Sequence, residues 1–371
     1  MTSSTQVGFT ERSHRPQAVL RAERVLRPLD ELRGAGLRLL ASGGPVARAV
    51  LRRRSTRVPV LLSVHALAAL ALAVAAPSFL IAVGPLALAV PHLAADVRHL
   101  VLRRVWPRWW LTSSLLFAAA LLAARVLAAL GSRQMPSPAV EQGLGAAWVI
   151  LGAAGGARAG HRGRAAIALG AAVALAVLAV GWPRAFRVAL VHGHNLVAVA
   201  IWLWLFRRGN RLVWLPVAIV LGGAAVLASG VLVPFTVRHG ALAFAGLHLF
   251  AAADWLAPGL PDAPAVALAM SFAFLQSAHY AIWLVGVPAG DRPGEGGRSL
   301  RAAARDLVAE LRPAGALAVV VLAGTVAVVG LLLPAEVRRL VLSLGMFHAW
   351  LELAVLAFLV AAGSSGSRPR A

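Results

Sequence analysis

The feature that most constrains this chain is a succession of stretches about 20 residues long that carry almost no charge. About 20 apolar residues, at about 1.5 Å rise each, are what a helix needs to cross about 30 Å of hydrocarbon. Candidate spans fall at 58–76, 79–102, 109–130, 140–158, 165–182, 185–206, 212–233, 240–257, 264–287, 314–333 and 338–361. Breaks between them are marked by Pro77, Pro107, Pro136, Pro183, Pro234, Pro258 and Pro334. Charged residues make up 13% of the chain and hydrophobic ones 60%. Against about 25% charged in a soluble domain, that leaves no polar face for most of these helices. The expected fold class is all-α: a polytopic transmembrane helix bundle of about 10 (10–11) spans.

The 36 basic residues are all arginine, and the net charge is +22. In a soluble protein that balance would suggest nucleic acid. Here the arginines sit in tails and short loops, with no nucleic-acid motif, so the expected partners are membrane lipids with anionic headgroups. Residues 1–57 carry twelve Arg and form a basic segment without the early apolar stretch of a signal peptide. The stretch from Gln17 to Leu40 reads either as an amphipathic helix on the membrane surface or as a partly disordered tail. The bundle is expected over 58–361 and a tail over 362–371.

Arginines set the expected orientation. Arg103, Arg104 and Arg108, then Arg158, Arg162 and Arg164, then Arg207, Arg208 and Arg211 all fall in alternate loops. With the basic head they place the N-terminus in the cytoplasm of a multi-pass protein of the cell (inner) membrane. Segment 240–257 is ambiguous. If re-entrant rather than spanning, ten spans remain, and the basic loop 288–313 and the C-terminal tail both lie inside. Residues 299–312 then read as a second short amphipathic helix. Arg338 and Arg339, facing out, oppose that arrangement.

Chemistry is expected from ionisable groups at bilayer depth, which are costly there and functional by default. Of fourteen acids only Asp96, Asp254 and Glu352 lie well inside spans, whereas eight of eleven histidines do. His92, Asp96 and His99 are spaced i, i+4 and i+7, which places them on one face of a regular helix. His348 and Glu352 repeat the four-residue step. In His192-Gly193-His194-Asn195, His192 and Asn195 share a face and His194 points elsewhere, so one functional His is expected there, not two. His279 lies with Gln276 and Trp283 on its face. His248 and Asp254 are six apart and do not share a face. His65 stands alone and reads as a helix–helix hydrogen bond. The candidate metal ligands are His92, His99, His192, His194, His248, His279 and His348, with Asp96 and Glu352 as catalytic carboxylates, further ligands or orienting groups. The absence of cysteine excludes thiolate sites.

Pro91-His92-x-x-x-Asp96 resembles the Pro-His-Gly-x-x-Asp element of bacterial membrane β-carotene dioxygenases (Brp/Blh-like). The resemblance implies a non-haem iron held by His92, by His192 or His248, and by His279. This chain departs from the family in Leu93, which replaces the glycine, and in lacking a His-x-x-x-His pair around His279. The expected function is a metal-dependent enzyme, with Fe ahead of Zn or haem, acting on an apolar lipid or isoprenoid small molecule. A transporter or proton-coupled protein using the same residues as a relay is the alternative, and a non-enzymatic membrane protein the third reading.

Overall fold

The computed structural model describes residues 17–129, 138–158, 162–206, 210–290 and 299–363. Residues 1–16, the loop segment 291–298 and the tail 364–371, each part of a segment distinguished above, lie outside the described residues. The chain is an all-α bundle: the only β-strands among the described residues form one two-stranded hairpin.

Two helices precede the bundle: α1 (Gln17–Ser42), which contains Pro28, and α2 (Pro45–Arg52). The bundle follows as α3 (Arg54–Ala75), α4 (Pro77–Leu102), α5 (Arg108–Ala129), α6 (Pro138–Ala157), α7 (Arg162–Gly181), α8 (Pro183–Phe206) and α9 (Trp214–Ala228). Then come α10 (Val233–His239), the hairpin β1 (Ala243–Phe244) and β2 (Leu247–His248), α11 (Leu249–Leu256), α12 (Asp262–Ala289), α13 (Leu300–Leu332) and α14 (Pro334–Ala362).

Among the described residues nine helices are long and apolar enough to cross a membrane: α3, α4, α5, α7, α8, α9, α12, α13 and α14. Helix α6 runs beside α14 and in the same direction. The register is set by glycine: a Cβ on Gly145 would overlap the Trp350 ring, and on Gly152 and Gly156 the backbone carbonyls of Ala354 and Phe358. Small residues let two helices approach where no hydrophobic force distinguishes helix from lipid.

Segment 240–257 does not cross. Its hairpin turns through Ala245 and Gly246, both at positive φ (47° and 74°), the geometry of a two-residue type I′ turn. Helix α11 has eight residues, about 12 Å, far short of the hydrocarbon thickness. The Ala241 amide donates to Ala75 O at 2.7 Å and Ser78 Oγ donates to Leu242 O at 2.7 Å, fixing the segment over the far ends of α3 and α4.

The opposite, basic face carries α1 and the start of α13. Within α13, Arg312 leaves the helix at φ 60° because Pro313 disfavours helical geometry in the residue before it. The helix therefore divides into an amphipathic piece, 300–311, and a span beyond. Asp30 of α1 accepts from the Leu300 amide (2.6 Å) and from Arg301 Nε (3.1 Å). Glu310 is gripped by Arg98 (2.7 and 2.9 Å) and by Arg103 (2.6 and 3.0 Å). The amphipathic piece of α13 is thus pinned to the bundle by ion pairs, and α1 is pinned to that piece.

Candidate metal centre

Helix α4 is irregular where it matters. Pro85 and Pro91 cannot donate backbone hydrogen bonds, and the helix opens into wider π-type turns at Gly84–Leu88 and Val97–Leu102. Between them the regular turn Ala89–Asp96 carries His92 and Asp96 on one face. A third π-type turn, Ile282–Gly286, follows His279 in α12. His348 and Glu352 come from one face of α14.

These three helices bring together one donor atom each from His92, His279, His348 and Glu352, all within 4.8 Å of one another. His92 Nε2 lies 3.0 Å from His279 Nε2, and His279 Nε2 lies 3.6 Å from Glu352 Oε1. Donors about 2.0–2.1 Å from a tetrahedral ion stand about 3.3–3.4 Å apart, and the His92–His279 and His279–Glu352 spacings bracket that separation. The ring centroids of His92 and His348 are 4.7 Å apart, those of His92 and His279 4.9 Å.

The tautomers are set by the histidines' own helices. His92 Nδ1 faces Ala89 O at 3.2 Å, and His348 Nδ1 makes a short contact with Gly345 O. Each carbonyl accepts the Nδ1 proton, which leaves the Nε2 lone pair pointing into the cluster, as metal-ligating imidazoles require. Glu352 Oε1 accepts from Trp283 Nε1 at 2.6 Å, and the same oxygen is the one that lies near His279. His348 Nε2, Glu352 Oε2 and both Asp96 oxygens are buried without a hydrogen-bond partner. Asp96 Oδ2 sits 3.4 Å from His92 Nε2. Buried polar atoms left unpaired are expensive, and one cation would satisfy several of them together. The cluster could hold a metal ion; the donor set is imidazole and carboxylate, the chemistry of Fe, Zn or Mn rather than of Ca or Mg.

His194 joins the margin of this group. Its Nδ1 donates to Leu190 O at 2.9 Å, and its ring centroid lies 5.3 Å from His348 and 5.4 Å from His279. His194 and Asn195 line a cavity of about 470 Å³ that reaches His92, His279 and His348. The remaining wall is largely apolar, with Leu93, Val191, Phe272 and Met346. Exposed liners (Arg187, Asp254, Trp255 and Pro258) mark its opening toward the far face. Arg125 also lines it and pairs with Glu141 at 2.5 Å.

Three sequence candidates are not brought to the cluster. His99 is turned away because the widened turn beginning at Val97 breaks the i, i+7 register with His92; it faces a different cavity on the basic-face side. His192 uses Nε2 on Leu256 O (3.3 Å) and packs against Phe272, holding α11 against α8. His248 is exposed in β2 and stacks on Phe250. Of the pair His192 and His194, then, only the second reaches the centre, and it shares the cavity with Asn195 rather than pointing away from it. His65 bonds Ser277 across α3 and α12, as a lone histidine between helices is expected to. Tyr280, with its ring 4.9 Å from His92, escaped sequence reasoning. Its only signal was adjacency to His279.

Comparison with protein-family models, curated proteins and solved structures returns no match.

Proposed function

We propose that this protein is a membrane-embedded metalloenzyme in which His92, His279, His348 and Glu352 hold iron and the adjoining cavity takes an apolar lipid or isoprenoid substrate. The observation that carries the reading is the convergence of three imidazoles and a carboxylate from α4, α12 and α14 on one 4.8 Å locus, at the wall of an apolar cavity. The resemblance of Pro91-His92-x-x-x-Asp96 to the carotenoid dioxygenase element supports the choice of iron and of an isoprenoid substrate. Bound iron would supply O₂-dependent oxidation at that wall.

The residues have separable tasks. Ala89 O and Gly345 O keep the His92 and His348 tautomers in the ligating form. Trp283 orients Glu352. Asp96, against His92 and away from water, is placed to take or return a proton at its Oδ2 atom. Phe272, Leu93 and Val191 give an apolar substrate its contacts and keep water from the reacting carbon. The positive-inside rule, applied to α1, Arg98, Arg103 and the start of α13, puts the basic face in the cytoplasm of the inner membrane and the cavity opening on the other side.

One observation favours a second reading. Asp96, His92, His279 and Glu352 form a continuous chain with links of 3.4, 3.0 and 3.6 Å, which is also a proton relay for a coupled transporter. Elemental analysis of the purified full-length chain separates the two. The enzyme reading expects near-stoichiometric iron that disappears in His92→Ala and His348→Ala. A metal-free wild type with proton-driven flux across vesicles would establish the relay instead.

A further inference from the structure

Gln276 stands on the same face of α12 as His279, three residues before it and so about 4.5 Å away along the axis. It is 5% exposed and lines the far-side cavity. Its Oε1 is sealed in the wall without a hydrogen-bond partner. A Cβ built on Gly84, in the first π-type turn of α4, would stand 3.4 Å from that oxygen, so this end of the amide rests against α4. The Nε2 end is not sealed and makes no hydrogen bond among the described residues, which leaves it open to the cavity.

A buried polar side chain in a membrane bundle ordinarily bonds a neighbouring helix. His65 does so with Ser277, and Gln142 Nε2 donates to Pro183 O at 2.5 Å. Gln276 joins no two helices among the described residues, so packing does not account for an amide at this depth, where an unmade hydrogen bond is costly. Asn195, 2% exposed on the same cavity wall, donates from Nδ2 to Val191 O at 3.1 Å, and its Oδ1 accepts no hydrogen bond among the described residues. The charged liners do not point to an ionised ligand. Arg125 is paired with Glu141, and Arg187 lies at the exposed mouth together with Asp254, of opposite sign. The wall thus calls for one small neutral group that can hydrogen-bond, joined to an apolar chain.

We propose that the substrate is a long-chain alcohol whose hydroxyl is held by the Gln276 amide, one helical turn from His279, with its chain against Phe272, Val191 and Leu93. The inference rests on the far-side cavity being the substrate site. A hydroxyl both donates and accepts, so it satisfies the amide at either end. A hydrocarbon leaves the amide unpaired. A carboxylate, which only accepts, leaves Gln276 Oε1 and Asn195 Oδ1 unmet.

The test uses the full-length protein in detergent, as purified and kept free of O₂ so that no ligand is turned over. Retention of farnesol, the matched hydrocarbon farnesene and farnesoic acid is read by native mass spectrometry. Wild type is expected to bind farnesol about 10-fold more tightly than farnesene, from one or two hydrogen bonds. Gln276→Met, similar in length but without a hydrogen-bonding amide, should bring that ratio near one without lowering the unfolding midpoint, because no bond between helices is removed. A glutamine with a purely structural role would do the reverse, lowering the midpoint and leaving the ratio. Equal retention of farnesol and farnesene, retention of neither, tighter binding of farnesoic acid, or a preference that survives Gln276→Met would each overturn the proposal. Iron measured in the same sample separates the two claims. Iron absent with the preference intact rejects the iron enzyme alone, and iron present with equal retention rejects the alcohol alone. If Gln276→Met does not fold, Gln276→Ala, which only removes atoms, is read in the same way.

Discussion

Helices α12 and α13 are consecutive, both long, and opposite in character. Helix α12 has a mean hydropathy of 1.4 and 89% of its apolar window is buried; α13 has 2.5 and 11%. In water the more apolar helix would be the core. In a bilayer the order inverts, because lipid solvates Leu and Val as well as protein does, whereas Gln276, His279 and Tyr280 need partners found only inside the bundle. The polar seam of α12 is thus what organises the centre of the molecule, and α13 is lipid-facing wall.

The sharpest way to break that comparison is to empty the seam. His279→Ala should reduce metal retention by more than about 100-fold while helix content is unchanged, whereas Val321→Ala on α13 leaves metal content at wild-type level. Plasma emission analysis with circular dichroism checks both; equal metal in the two variants would remove α12 from the centre. Next comes Trp283→Phe, which takes away only the hydrogen bond that aims Glu352. Metal affinity, read by competition with a chromophoric chelator, is expected to fall about 10- to 100-fold.

Packing gives a smaller contrast. Ala269→Leu, in a fully buried position of α12, is expected to destabilise by about 1–3 kcal/mol. Val328→Leu, 60% exposed on α13, should shift the unfolding midpoint little in the same detergent. Smallest is His65→Ala, which deletes the bond to Ser277 between α3 and α12. A loss of about 0.6 kcal/mol is typical for such a bond within a membrane bundle, and a double-mutant cycle with Ser277→Ala separates the part made with Ser277 Oγ from the part made with the Ser277 carbonyl.

Much of the architecture was legible because hydropathy is a local property. The spans and the amphipathic piece before Arg312 follow from residue order, whereas the helix at Gln17–Ser42 was one of two readings that residue order left open. The charge pattern also pointed to a re-entrant 240–257, which the hairpin through Ala245 and Gly246 shows. The site was legible in part: His92, Asp96, His348 and Glu352 share faces at a four-residue step, which survives wherever the helix stays regular. His99 did not follow, because a π-type turn changes the angle per residue and no periodicity rule foresees where α4 will widen. The choice between His192 and His194 was equally hidden, since it depends on Leu256 of a different helix offering a carbonyl.

Sequence alone determined that this chain must lie in a membrane, with its arginines gathered at the ends of helices and its few imidazoles and carboxylates at depth. Each of those is a cost one segment meets by itself, the transfer of its own side chains between water and lipid. Only tertiary structure decided that α4, α12 and α14 meet, that His279 and His348 come within reach of His92, and that Trp283 aims Glu352. Those contacts join residues up to 260 positions apart in the chain, from His92 to Glu352, and no helix contains the information about which face its neighbours will cover.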